Sequence, residues 1–181
     1  HITQAEFSRL AEFLRAEGTE RSFFRGECLA EQGLRSHRAG LVVRGAFRYA
    51  HADAAGGEHV VGYAFAGEFV GDYISMRIDT LSQVTIGAMC DAAALVVTGE
   101  RLEAFYRTDA AHERLGRTLA EHMLAEVYER LLDRYAASPQ QRYETLLERC
   151  PDLLQLVSLR ELASYLGVRP ETLSRIRGRI R

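Results

Sequence analysis

Apolar positions along the chain fall into three successive periods, and each period predicts a different kind of element. Phe7, Leu10, Ala11 and Leu14 stand at i, i+3, i+4 and i+7, the spacing of one buried helix face. Thr3 and Glu6 read as a capping box ahead of it, and Gly18 as its end. From about residue 20 to residue 99 the segments 41–49, 59–65, 83–89 and 94–98 are short and rich in β-formers. Gly26, Gly33, Gly40, Gly45, Gly56, Gly57, Gly67, Gly71 and Gly87 sit between and within them. Short strands with turn signals about every 8–12 residues predict a sandwich or barrel-like β unit, with Gly56-Gly57 at a hairpin tip.

After Gly99 the period lengthens again, and the pattern predicts helix to about Ala136. Leu115, Leu119, Leu124, Tyr128, Leu131, Leu132 and Tyr135 form one broad stripe, and Gly116, Ala120, Met123 and Val127 a second. A helix with two apolar faces must bury both. The expectation is one face on its own β unit and the other on an identical helix across a two-fold axis. Ser138-Pro139 marks a boundary, because proline disfavours helix in the residue before it and suits the first turn of the next helix. Residues 140–150 form a new amphipathic helix using Tyr143, Leu146 and Leu147, stopped by Pro151. The fold class expected is α+β: a β-roll sensor domain over 1–108, a dimerisation helix over 109–137, and a C-terminal helix-turn-helix domain over 138–181.

The last segment carries the most specific pattern. Counting from Leu159, Ala163 is fifth, Gly167 ninth, Val168 tenth, Leu173 fifteenth and Ile176 eighteenth. The fifth position lies where two helices cross and admits only a small side chain. The ninth needs a positive φ, which glycine adopts freely. Leu162, Leu166, Val168, Leu173 and Ile176 fill the core between the helices. This is the arrangement of a helix-turn-helix, whose second helix enters the major groove of DNA. Pro170 suits its first turn, and Leu173, Ile176 and Ile180 line its inner side. Glu171, Ser174 and Arg175 project together on the opposite side, where an arginine can read guanine and a glutamate can accept from cytosine. Thr172 belongs to the same candidate surface. Arg169, Arg177, Arg179 and Arg181 are placed for phosphates.

Charge sharpens this picture. The net charge of −2 is unevenly spread: residues 1–137 hold 15 Arg and 20 acids, whereas residues 158–181 hold 6 Arg and 2 Glu. The chain has no lysine, and arginine is the better fork for phosphate and guanine. An acidic body with a basic tail points to a polyanion at the tail. Cys28, Cys90 and Cys150 are three, far apart and in no Cys-x-x-Cys pair. They are expected as reduced, mostly buried thiols in a reducing cytoplasm, not as ligands of zinc or an iron–sulfur cluster. Apolar residues make up 47% of the chain, ordinary for a globular protein, and no run is long enough to span a membrane.

The order of a β-roll, a long helix and a C-terminal helix-turn-helix resembles the CRP/FNR superfamily over essentially the whole chain. Residues 138–151 and 162–177 are similar to a branch common in Bacteroidetes-like bacteria. The Glu171-x-x-Ser174-Arg175 set resembles the base-reading triplet of the FNR-like branch. That implies half-sites with a TGA-type core, where Arg175 meets the guanine. Arg169 departs from the Thr or Ser cap usual in this branch, a loss of about 1 kcal/mol. The resemblance also implies a cyclic-nucleotide-binding-like jelly roll at the N-terminus, a winged-helix-like C-terminal domain, and RNA polymerase as a further partner. Residues 67–72 resemble the start of the family's cyclic-nucleotide phosphate cassette. Asp72 replaces the usual ribose-binding Glu, and Ser82-Gln83 stands where an Arg-Ser or Arg-Thr pair is expected. Without that arginine a buried phosphate lacks its countercharge. Glu68, Asp72, Arg77, Ser82 and Gln83 are the candidate effector-pocket residues, and cAMP is not expected as a tight ligand. The oxygen sensors' N-terminal cysteine cluster is absent, and His37, His51, His59, His112 and His122 are unclustered in sequence.

The sequence therefore predicts a dimeric, sequence-specific transcriptional regulator of double-stranded DNA, with an unidentified effector and no cofactor or metal. The second reading is a ligand-binding module that regulates through protein contacts without DNA. No nucleophile–base arrangement, phosphate-cradling glycine loop or metal-ligand spacing points to an enzyme.

Overall fold

The computed structural model describes residues 4–180, so Thr3 of the expected capping box, and Arg181 of the candidate DNA surface, lie outside the described residues. Helix α1 (Gln4–Glu17) buries Leu10, Ala11 and Leu14. The Gly18 amide closes it on the Leu14 carbonyl. Eight strands follow: β1 (Thr19–Phe23), β2 (Cys28–Ala30), β3 (Arg38–Arg44), β4 (Ala46–Ala52), β5 (Glu58–Phe65), β6 (Phe69–Gly71), β7 (Thr85–Ala88) and β8 (Ala92–Thr98). They form two antiparallel four-stranded sheets, ordered β1-β8-β3-β6 and β2-β7-β4-β5. The core between the sheets contains Phe23, Val42, Phe47, Val70 and Ile86, together with small residues such as Ala64, Ala88, Ala92 and Ala94. Phe23 of one sheet meets Phe47 of the other edge-on, with ring centroids 5.1 Å apart, a favoured aromatic geometry.

The segment over 41–49 is two strands, not one. Gly45 separates β3 from β4 at φ +79, and the two strands lie in different sheets. A Cβ there would stand 2.7 Å from that of Ala92, so both the backbone conformation and the close approach require glycine. The hairpin tip falls at residues 53–57 as expected. Its Asp53 carboxylate accepts from the Ala55 and Gly57 amides.

The helical stretch after β8 is also interrupted. Short α2 (Tyr73–Arg77) lies between β6 and β7. Helix α3 (Gly99–Tyr106) ends before Asp109, whose carboxylate caps α4 (Ala110–Ala136) through the Ala111 and His112 amides. The two apolar stripes of α4 do not divide its circumference as expected. Leu115, Gly116 and Leu119 are buried against α1, α3 and the first sheet, with Ala120 and Met123 packed beside them. Beyond Met123 both stripes emerge into solvent: Leu124 is 70% exposed and Tyr135 82%. The division runs along the helix, because the roll is shorter than the helix that crosses it.

Helices α5 (Pro139–Arg149), α6 (Leu153–Leu156), α7 (Leu159–Leu166) and α8 (Pro170–Ile180) complete the chain. Ser138 caps α5 in a capping box with Gln141, which strengthens the boundary that Pro139 suggests. Cys28, Cys90 and Cys150 are free thiols, half-buried rather than buried. Burial pushes the Cys28 and Cys150 thiols up from their ordinary pKa.

Tyr49 on β4 places its hydroxyl where it accepts from the Gly71 amide at 3.1 Å. Burial pushes its pKa up to about 12, whereas an unfolded tyrosine titrates near about 10. Its contribution to stability is thus complete below pH about 10 and is lost as pH rises towards 12. Denaturant midpoints followed across that window should fall with pH. Tyr49→Phe should flatten the fall, and at neutral pH should lose about 1 kcal/mol from the orphaned Gly71 amide.

Candidate nucleic-acid interface

Ser158 caps α7 by accepting from the Glu161 amide, and the helix buries Leu162, Ala163 and Leu166. Ala163 is 1% exposed, as expected for the small residue at a crossing of helices. Gly167 then adopts φ +68, ψ 32. The Val168 amide reaches the Ala163 carbonyl at 2.9 Å and the Gly167 amide reaches that of Ser164 at 3.0 Å. These two bonds are the reciprocal pair of a Schellman turn. Arg142 of α5 donates to the Leu166 carbonyl at 2.6 Å, satisfying another end group of the same helix.

The turn delivers α8 at Pro170. Its buried face is Leu173 and Ile176, packed with Leu162 and Leu166. Ile180, expected on that face, is 37% exposed, because the partner helix does not reach the last turn. Glu171, Ser174, Arg175, Gly178 and Arg179 are exposed, and their spacing puts them on one edge. Arg169 is exposed, and its carbonyl accepts from the Thr172 and Leu173 amides. Thr172 is half-buried, and its hydroxyl accepts from Arg175 at 3.4 Å. Arg177 is half-buried.

The helix-turn-helix is docked on the roll. Arg149 of α5 forks onto Glu68, with Nε to Oε1 at 3.0 Å and Nη2 to Oε2 at 2.8 Å. It also donates to the Tyr63 carbonyl and lies 5.1 Å from the Phe65 ring centre. The Tyr63 ring meets Tyr165 at 5.0 Å, and its hydroxyl donates to Glu161. Tyr63, Phe65, Ala46 and Met89 share one buried cluster with Tyr143, Leu146, Leu153, Leu162 and Leu173. This docking leaves the Glu171–Ser174–Arg175 edge open. Sequence reasoning missed the docking. Its trace in the sequence is the pair Tyr63 and Phe65 near the end of β5, whose intervening Ala64 alone packs in the roll's own core.

The five candidate effector residues do not meet in one place. Asp72 and Ser82 do: the Ser82 hydroxyl donates to Asp72 at 2.6 Å, and Asp72 also caps α2 through the Ser75 amide. Glu68 is held by Arg149. Arg77 pairs with Glu103 and lies over the Tyr106 ring. Gln83 is exposed and bonds the Leu81 carbonyl. Beside Gly71 the roll holds a cavity of about 60 Å³ lined by apolar residues including Leu10, Leu14, Val70, Tyr106 and Leu119. Among the described residues no cluster of three or more His, Cys, Asp or Glu is arranged for a metal, and no helix is long and apolar enough to cross a membrane.

This architecture, an eight-stranded roll, a long helix and a helix-turn-helix, is the fold of the CRP/FNR regulators. FixK2 from Bradyrhizobium japonicum superposes with a TM-score of 0.72 at 19% identity, over 90% of this chain and 84% of that one. A protein from Silicibacter pomeroyi DSS-3, described as a candidate cAMP-binding regulatory protein, gives 0.71 at 25% identity, over 96% and 79%. A candidate transcriptional regulator of the CRP/FNR family from Eubacterium rectale ATCC 33656 gives 0.65 at 15% identity, over 96% and 81%. No family model and no curated relative matches the sequence.

Because the Gly167 Cβ site is open, Gly167→Ala tests backbone conformation without a clash. It should lower stability by about 1–2 kcal/mol in denaturant unfolding. Gly167→Asn should lower it less, since asparagine tolerates the left-handed region.

Proposed function

We propose that this protein is a DNA-binding transcriptional regulator that acts as a homodimer and not as an enzyme. The observation that carries the proposal is the solvent-facing Glu171, Ser174 and Arg175 edge of α8, held by a buried helix-turn-helix core. An edge of this chemistry suits base recognition: the Arg175 guanidinium offers two parallel donors to guanine, and Glu171 accepts from cytosine. Arg169 and Arg179 flank it on exposed positions and add phosphate contacts. The resemblance to the FNR-like branch supports a TGA-type half-site.

Dimerisation is supported by the free half of α4. Leu124, Val127, Tyr128, Leu131, Leu132 and Tyr135 are all exposed, at spacings that make one helical seam. An apolar stripe of this size on a solvated helix marks an interface, and a second copy offers the matching surface. Two copies joined there would present their α8 helices to successive major grooves about one helical turn apart.

The effector is not cAMP in this reading. The apolar cavity between the first sheet and helices α1, α3 and α4, at about 60 Å³, is well below the roughly 300–1,000 Å³ of ligand pockets. Ser82 stands at the position of the phosphate-binding arginine, and Asp72 and Arg77 already have internal partners.

Selection from a random DNA pool followed by gel shifts tests the assignment. Arg175→Ala should lose about 1–3 kcal/mol of discrimination at one guanine. Arg179→Ala should weaken all sequences alike and reduce the salt slope by about one. Failure to shift any pool would favour regulation through protein contacts instead. Leu124→Glu with Leu131→Glu should convert the dimer to monomer in sedimentation and abolish the shift at a two-half-site operator. A double variant that stays dimeric refutes the seam.

A further inference from the structure

A second cavity, of about 170 Å³, lies where β5, the free half of α4, α5 and α7 come together. Its charged lining consists of Arg130, Asp133 and Arg134 from α4 and Arg142 and Arg149 from α5, with Tyr165 closing one side. Four guanidinium groups thus share one concave space with a single carboxylate. Such a concentration of like charge is unfavourable unless something offsets it.

Internal partners offset it only in part. Arg149 is matched by Glu68. Arg142 spends one nitrogen on the Leu166 carbonyl, but its buried Nε–H meets no acceptor among the described residues. A buried donor without a partner is costly and calls for an ion or water. Arg130 donates its Nε to the Glu126 carbonyl, while its Nη1 reaches over β5 to within 3.6 Å of where a Gly62 Cβ would be. Arg134 has no hydrogen-bond or ion-pair partner among the described residues. The donors left over are planar N–H forks, the geometry that matches phosphate oxygens.

We infer that this interdomain cleft is a binding site for a small phosphate-bearing anion. At about 170 Å³ the cleft is below the roughly 300–1,000 Å³ of ordinary ligand pockets, so an occupant is no larger than a phosphate or pyrophosphate group. The bound anion would accept from the guanidinium groups of Arg130 and Arg134, which line the cleft at exposed positions. Arg149 completes the ring and is also the residue that ties the helix-turn-helix to Glu68, so an occupant touches the junction between the two units. At 3.6 residues per turn, Arg130 and Asp133 project away from the stripe of Leu124, Tyr128 and Leu131. A second copy packed on that stripe would border the cleft at Arg134, one helical turn from Leu131, and leave the Arg130 and Asp133 side open.

The site does not depend on the DNA-binding reading, and its test is direct. Titration calorimetry of the full chain with inorganic pyrophosphate at low ionic strength should show one saturable site per chain. Arg130→Gln with Arg134→Gln, both at exposed positions, should weaken binding about tenfold or more. Asp133→Asn should tighten it, a gain that misfolding cannot mimic. Arg175→Ala with Arg179→Ala should leave the affinity unchanged. The inference is overturned by the absence of saturable binding, by an Arg130/Arg134 double variant that binds like the parent, or by an Asp133→Asn protein that does not bind more tightly. Loss of binding in the α8 variant overturns it too, because it would move the anion to the DNA-facing helix.

Discussion

The C-terminal unit is too small to bury its own apolar surface, and this constraint shapes the rest of the molecule. Four short helices over residues 139–180 cannot enclose a core of useful size. Tyr143, Leu146, Leu153, Leu162, Leu166 and Leu173 are nevertheless almost entirely buried. They achieve this by extending their cluster onto Tyr63, Phe65, Ala46 and Met89 of the roll. The fork of Arg149 on Glu68 sets the register of that contact, with the Tyr63 carbonyl as its third anchor. Partly solvated, the ion pair adds direction more than energy. The apolar cluster supplies the energy.

Two consequences follow for the helix that joins the units. Its first half belongs to the roll, with Leu115 and Leu119 in the cluster that includes Leu10, Leu41 and Tyr106. Its second half meets the docked unit on one side, across the arginine-lined cleft, and exposes its apolar stripe on the other. The same stretch therefore carries an exposed apolar stripe on one side and lines the arginine-rich cleft on the other.

The polar residues around α2 find their partners within the fold. Asp72 and Ser82 are brought to hydrogen-bond distance by the turn around α2. Here they bond to each other and cap a helix, and the nearby Arg77 is drawn to Glu103. What surrounds Gly71 is a small apolar space instead of an anion cradle.

Much of this was legible along the chain. The helix-turn-helix could be read residue by residue, because each demand was local: a small Ala163 at a crossing, a left-handed Gly167, and apolar residues at helical spacing on one edge of α8. The β-roll was legible as a set of short strands, and the break at Ser138-Pro139 as a boundary. The division of 41–49 into strands of two sheets was not, since glycine within a strand and glycine between strands look alike until a neighbour such as Ala92 is in place. The fate of the α4 stripes, the partners of Glu68 and Arg77, and the gathering of four arginines in one cleft were settled only by tertiary structure. Local periodicity and turn chemistry act within a few residues and are written in the sequence itself. Which distant side chain satisfies a charge, or how far a roll extends under a helix, depends on contacts between residues as far apart as Glu68 and Arg149, and these exist only once the chain has folded.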